Sequence, residues 1–257
     1  MSQRLPLAFI LITVMLDTIG LGLIIPVMPD LIREVDGGGL AVAAVWGGVL
    51  TTVFAVMQFL FAPIMGSLSD RYGRRPILLA TLFVISIDYL VMALAGTIWL
   101  LFVGRVVAGV MAATQSTATA YIADISKPEE KAARFGLIGA AFGIGFVLGP
   151  LIGGLVAQFG TRAPFYVAAV LSAANFVFGY FVIRETVTDS TRRAFSWARA
   201  NPFGAFQQVN ALPGLGRLIA VFFFYQVAFW VYPSVWAYFT QARFGWSPEM
   251  IGRSLAS

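Results

Sequence analysis

Residues 66–76 read Gly66-Ser67-Leu68-Ser69-Asp70-Arg71-Tyr72-Gly73-Arg74-Arg75-Pro76, a charged turn set between two long apolar runs at 43–65 and 76–96. Spanning a bilayer takes about 20 mainly apolar residues, and each run meets that length. The turn therefore reads as a loop joining two membrane spans, and it decides the fold class: a bundle of transmembrane helices. Gly73 and Pro76 set a fixed turn. Asp70, at the end of a span, is placed to cap a neighbouring helix N-terminus. Gly66, Asp70, Arg71, Gly73, Arg74 and Arg75 are accordingly candidate gating residues.

The same pattern continues outward. Further runs of spanning length lie at 6–29, 98–121, 134–158, 163–184 and 215–240, and an eighth begins at 248–257. A helix that stops at Ser257 after one or two turns cannot cross, so the sequence reads as a fragment of a longer chain. The stretch 185–214 contains Arg192, Arg193, Arg199, Pro202 and Pro213 and reads as a linker. Six spans, a basic linker and then further spans is the pattern of a two-halved transporter. The expected organisation is 1–184 as the N-terminal six-span half, 185–214 as a cytoplasmic linker, and 215–257 as the start of the C-terminal half.

Composition supports lipid as the solvent. Of 257 residues, 59% are hydrophobic and 11% charged, against about 25% charged in soluble domains. Cysteine and histidine are absent, which excludes a disulfide scaffold, a thiol nucleophile, a zinc site and histidine acid-base chemistry. Protons must then be handled by carboxylates. No phosphate loop or metal cluster stands out, so an enzyme is the least favoured class, and no cofactor or metal is expected. The net charge of +5 does not imply nucleic acid, because the basic residues sit in short loops.

Those loops set the orientation. Arg4, Arg71, Arg74, Arg75, Lys127, Lys131, Arg134, Arg184, Arg192, Arg193, Arg199 and Arg217 fall on the side of the N-terminus, and only Arg33, Arg162 and Arg243 on the other. Basic short loops stay inside, so the N-terminus is expected in the cytoplasm of a bacterial-type inner membrane.

Charges inside the spans need a reason, since an aspartate at mid-span costs roughly 2.5 to 3.5 kcal/mol on insertion scales. Asp17 lies about 16 Å below the N-terminal-side end of its span, at 1.5 Å per residue. On the same rise, Asp88 is about 12 Å and Arg105 about 10 Å from the opposite side. The short Gly96-Thr97 connection makes their helices antiparallel neighbours, so a pairing is geometrically open. One reading is a structural ion pair. It does not account for Asp17: two carboxylates and one arginine leave an acid to be neutralised by a proton. Gln58 and Asn175 are polar too, although amides in membranes often serve only as interhelical hydrogen bonds. Gln58, Asp88 and Gln115 are the candidate substrate contacts, and Asp17, Asp88 and Arg105 the candidate proton-coupling residues.

The fifth run carries Gly139 and Gly143, then Gly145, Gly149 and Gly153 followed by Gly154, with Pro150 inside. Small residues at every fourth position let backbones touch. With a proline bend, they suggest a surface that rocks during alternating access, which makes Gly145, Gly149, Pro150 and Gly153 gating candidates.

Taken together, residues 66–76 resemble the loop signature between spans two and three of the major facilitator superfamily. Gly104-Arg105 with Gly109 resembles that superfamily's fourth-span motif, whose arginine is associated with proton coupling. Residues 145–154 resemble the fifth-span motif of its drug/proton antiporters. Leu16-Asp17-Thr18-Ile19-Gly20-Leu21-Gly22 and the run on to Pro29, Asp88-Tyr89-Leu90, Arg184-Glu185-Thr186 and Arg243-Phe244-Gly245-Trp246 are similar to the tetracycline-efflux branch. The resemblance implies an all-α integral membrane protein: the N-terminal six-helix half of a major-facilitator bundle plus span seven and the start of span eight. It implies proton-driven export of a drug-like amphipathic substrate, with protons, a small molecule, the bilayer and the missing C-terminal half as partners. A metabolite transporter of the same superfamily and a non-transporting membrane scaffold are the alternatives.

Overall fold

A computed structural model describes residues 4–204 and 215–257. The stretch 205–214 of the linker, with Pro213, lies outside the described residues, as do the side chains of Arg4 and Arg199.

Among the described residues, seven helices are long and apolar enough to cross a membrane: Leu5–Asp36, Leu40–Tyr72, Arg74–Leu94, Ile98–Ile125, Pro128–Phe159, Ala163–Val182 and Leu215–Phe244. They are called spans one to seven. Most run past the apolar stretches that locate them, because helical hydrogen bonding continues into charged ends such as Ser69-Asp70-Arg71-Tyr72. Span one is not straight. Its helix Arg4–Ile24 passes through a tight turn at Ile25–Val27 into a second helix, Met28–Asp36, where Pro26 and Pro29 remove backbone donors. Gly37, at φ 73°, closes it in the left-handed conformation that favours glycine.

Span one packs on spans five and six, span three on spans six and four, and span two on span four. Two apolar clusters fill the bundle. One, on the side of the N-terminus, gathers Phe9, Ile10, Leu78, Leu82, Tyr121 and Ile122. The other, toward the opposite side, gathers Leu23, Leu31, Ile32, Met92, Leu101 and Phe165. Asn175 does what a neutral amide in a membrane often does: its Oδ1 accepts a hydrogen bond from the Thr13 hydroxyl at 3.2 Å, and both residues are buried.

Span seven stands almost wholly exposed, presenting Phe222, Phe223, Phe224 and Tyr225 outward. A patch so apolar needs lipid or further polypeptide around it. Span seven meets the six-span bundle at the side opposite the N-terminus, where Gln241 Nε2 donates to both Asp30 carboxylate oxygens at 3.2 Å. A short helix, Pro248–Ala256, follows, with the Ser247 hydroxyl accepting from the Met250 N–H at 3.4 Å. It packs on span five, with Gly252 set against the Pro150 carbonyl.

Candidate functional site

Arg105 and Asp88 form an ion pair between spans four and three, with side chains 9% and 4% exposed. The pairing follows from the tight turn at residues 95–97, where the Thr97 hydroxyl caps span four by accepting from the Leu100 N–H at 3.3 Å. Gly104 makes the room. A Cβ there would sit 2.8 Å from Asp88 Oδ1, so the glycine lets the carboxylate lie against span four without being displaced. Phe54 of span two places its ring 5.4 Å from the Arg105 guanidinium carbon, a cation–π contact. The pair is not saturated: Asp88 Oδ1 and Arg105 Nε are buried without a hydrogen-bond partner among the described residues. A buried pair whose lone pairs and protons are incompletely matched recovers only part of its desolvation cost. An uncommitted carboxylate oxygen can take a proton or a ligand donor.

Asp17 is half-buried on span one and has neither ion pair nor hydrogen bond among the described residues. It lies within electrostatic reach of Tyr89, whose hydroxyl packs on Gly20, one turn further along span one. Gln58 is exposed on span two and donates to the Ala112 carbonyl at 3.5 Å. Gln115 lines an open cleft of about 430 Å³ with Thr119, Phe135, Ile138, Gly139 and Phe142.

The charged turn is organised differently from the expectation. Asp70 does not cap a helix; its Oδ1 pairs with Arg74 Nη1 at 2.7 Å, and its carbonyl accepts from the Arg193 N–H at 3.3 Å. The cap of span three is Glu185, whose carboxylate accepts from the backbone N–H of Arg74 at 2.8 Å and of Arg75 at 3.2 Å. Arg74 also reaches Asp124 at 3.1 Å, which in turn accepts from the Thr186 hydroxyl at 3.1 Å. The turn, the end of span four and the start of the linker are therefore one hydrogen-bonded unit. Gly73, at φ 115°, is required twice: for its left-handed backbone, and because a Cβ would collide with the Glu185 carboxylate. Arg75 donates to the Tyr180 carbonyl at 2.8 Å. Arg71 only rests on the Tyr72 ring, and Gly66 faces open space, so neither joins this unit.

The glycines of span five also divide. Gly145, Gly149 and Gly153 lie against span one, where Cβ atoms would meet the Met15 carbonyl at 2.6 Å, the Gly22 Cα at 2.7 Å and the Leu23 carbonyl. A Cβ at Gly139 or Gly143 would meet nothing within 4 Å among the described residues beyond its own helix backbone. These three glycines thus lie inside the six-span bundle against span one, and Pro150 and Gly154 meet residues 248–252 of the short helix that follows span seven.

A helical membrane bundle with a charged pair sealed between two spans, a glycine-sealed contact between two others and a capped basic turn is the architecture of a transporter unit. The chain belongs to the Major Facilitator Superfamily, whose profile matches residues 10–257. It is 43% identical over 256 residues to the class C tetracycline resistance protein of Escherichia coli, covering all of this chain and 64% of that one. It is 40% identical over 247 residues to the class G protein of Vibrio anguillarum, covering 96% of this chain and 62% of that one. The chain thus spans less than two thirds of the length of these relatives. Among solved structures, the human organic anion transporter MFSD10 shares its fold with TM-score 0.77 at 24% identity, covering all of this chain and 69% of that one. An inward-facing bacterial homologue of the lysosomal transporter Spinster does so with TM-score 0.77 at 19% identity, covering 60% of its own chain.

Proposed function

We propose that this chain forms the N-terminal part of a proton-driven antiporter that exports a drug-like amphipathic substrate, with tetracycline as the first candidate. In this reading residues 1–184 are the six-span half, 185–214 a cytoplasmic linker and 215–257 the start of the second half. The N-terminus lies in the cytoplasm of a bacterial-type inner membrane. The whole activity belongs to a polypeptide that includes the remaining length of the relatives.

The observation that carries the reading is the Asp88–Arg105 pair with its uncommitted carboxylate oxygen. A proton arriving on Asp88 neutralises the carboxylate and frees Arg105 from its partner, which biases the bundle between two arrangements. Loss of that proton to the cytoplasm restores the pair. Asp17, lacking a cation, is the second proton carrier. Six relatives at 36–43% identity are tetracycline resistance proteins, which supports drug export.

The test joins this chain to the remaining C-terminal length of the class C relative and measures tetracycline-driven proton release from inverted vesicles. Asp88→Asn is expected to abolish release and Asp88→Glu to retain part of it. Release at the unsubstituted rate in Asp88→Asn would exclude Asp88 from coupling.

A further inference from the structure

Span one ends in a separate helix, Met28–Asp36, that is fixed to the six-span bundle. Its Leu31 and Ile32 are fully buried. Glu34 accepts from Arg162 Nε, at the start of span six, at 2.9 Å, and Arg162 Nη1 donates on to the Ala93 carbonyl of span three at 2.7 Å. Toward span seven this helix presents Asp30, whose side chain is 20% exposed.

Two side-chain contacts join the bundle to the chain beyond the linker on the side opposite the N-terminus, and both set an amide against a carboxylate. Gln241 Nε2 of span seven lies 3.2 Å from each Asp30 oxygen. On the other flank the roles are exchanged: Gln158 Nε2, at the end of span five, donates to Glu249 at 2.8 Å. The two contacts differ in what is left over. Gln158 is exposed, so water can reach its amide oxygen. Gln241 Oε1 is buried and has no hydrogen-bond partner among the described residues.

That orphan follows from the partner's chemistry. A carboxylate only accepts, so it satisfies the amide N–H and offers nothing to the amide oxygen. A protonated carboxyl offers an O–H as well, and a buried acceptor without a partner is the group that gains most from receiving one. Tyr238, one turn earlier on span seven, does not fill the need: it rests against Gly47 of span two, and its hydroxyl is itself without a partner.

The other charged groups around Asp30 are few. On its own helix, Arg33 pairs with Asp30, Glu34 is held by Arg162, and Asp36 is exposed. Span seven brings Tyr238 and the exposed Arg243, and the helix after it brings Glu249 and Arg253, which pair with each other. The adjoining ends of spans two and four, 40–50 and 98–104, contain no titratable side chain.

We propose that Asp30 and Gln241 form a latch between spans one and seven that a proton tightens. A proton from the water on that side moves onto one Asp30 oxygen. The new O–H donates to Gln241 Oε1, while Gln241 Nε2 goes on donating to the other carboxyl oxygen, so the contact becomes a ring of two hydrogen bonds. Asp30 becomes neutral, and Arg33, 43% exposed, exchanges its partner for water. The role of the latch rests on the exporter reading: a proton entering from the side opposite the N-terminus closes that side behind a released substrate.

The test uses the full chain in lipid nanodiscs. Because the chain has no cysteine, Val42→Cys on span two and Ala242→Cys on span seven, both exposed positions, carry the only spin labels. Pulsed spin resonance reads the ratio of the short to the long distance between them. That ratio is expected to rise about tenfold from about pH 8 to about pH 5, the scale of one net hydrogen bond. Asp30→Asn builds the same ring from two amides, so it should hold the short distance at both pH values. Gln241→Leu should lose both the short distance and the response. A latch made only of charge would behave in reverse, with acid and Asp30→Asn each opening it. Opening by acid, no response to pH, an open or still responsive Asp30→Asn, or a response retained in Gln241→Leu overturns the proposal. If Gln241→Leu does not fold, the sign of the pH response and Asp30→Asn still decide. Tetracycline-driven proton release is read separately in the joined protein: its loss with an intact latch sinks the exporter reading alone, and its persistence without a latch sinks the latch alone.

Discussion

Replacing Gly149 by alanine places a methyl carbon 2.7 Å from the Gly22 Cα and 2.9 Å from the Ile19 carbonyl oxygen. Carbon atoms rest at about 3.5 to 4.0 Å, and both neighbours are backbone, so neither can rotate away. Spans one and five must part by about 1 Å, loosening the contacts of Gly145 and Gly153 along the same line. Overpacking of this kind costs about 1 to 3 kcal/mol. At Gly143, in the same helix, an added Cβ would meet nothing within 4 Å among the described residues beyond its own helix backbone, and there alanine removes the entropic penalty of a helical glycine, a gain of about 0.5 to 1 kcal/mol. The same chemical change should therefore act with opposite sign at the two positions, a separation of about 1.5 to 4 kcal/mol built from those two ranges. Reversible unfolding of the purified chain in mixed micelles, titrated with dodecyl sulfate and followed by helical circular dichroism, reads both. Shifts of the same sign for Gly143→Ala and Gly149→Ala would refute the assignment of the stripe to the span one contact.

Two further outcomes are expected. Asp88→Asn alone or Arg105→Gln alone strands one buried charge and should destabilise the bundle by about 3 to 5 kcal/mol, whereas the double change should recover most of that loss in the same unfolding titration; additive losses would mean the two groups do not hold each other. Glu185→Gln weakens the cap on Arg74 and Arg75 and should cost about 1 kcal/mol, the usual scale for a lost cap, with faster amide exchange at the start of span three; unchanged exchange there would remove Glu185 from that role.

The number and order of spans were legible because hydropathy over about 20 residues is a local property. The cap of span three was not. Asp70 stands four residues from Arg74 and was the natural local choice, yet the groove at the helix start is filled by Glu185, 111 residues further along the chain. Gly73 carried half of that information: its left-handed backbone is readable as a turn, but the carboxylate that excludes a Cβ is not. The division of span four into two helices, Ile98–Met111 and Thr114–Ile125, had still less signal. Ala112 and Ala113 favour helix, and what parts them is the approach of span two at Gly109 together with the Gln58 amide, both tertiary facts.

The glycines of span five show how a correct periodicity can still be read too widely. Both series repeat at four residues, but the step from Gly143 to Gly145 turns the helix by about 200°, which puts the two series on opposite sides. Only the second meets span one. Span three and span four show the converse, where depth alone was enough. Opposite charges at matched depth on antiparallel neighbours had no better partners, and Gly104 supplies the clearance that lets Asp88 reach Arg105. Asp17 follows from the same reasoning by subtraction: with the arginine committed to Asp88, no cation is left at its depth, and the structure gives it none. The two acids therefore differ in kind. Neutralising Asp88 would end its charge pairing with Arg105, whereas neutralising Asp17 would end no pairing among the described residues, so under the proposed function Asp88 is the acid whose loading releases a contact between spans three and four.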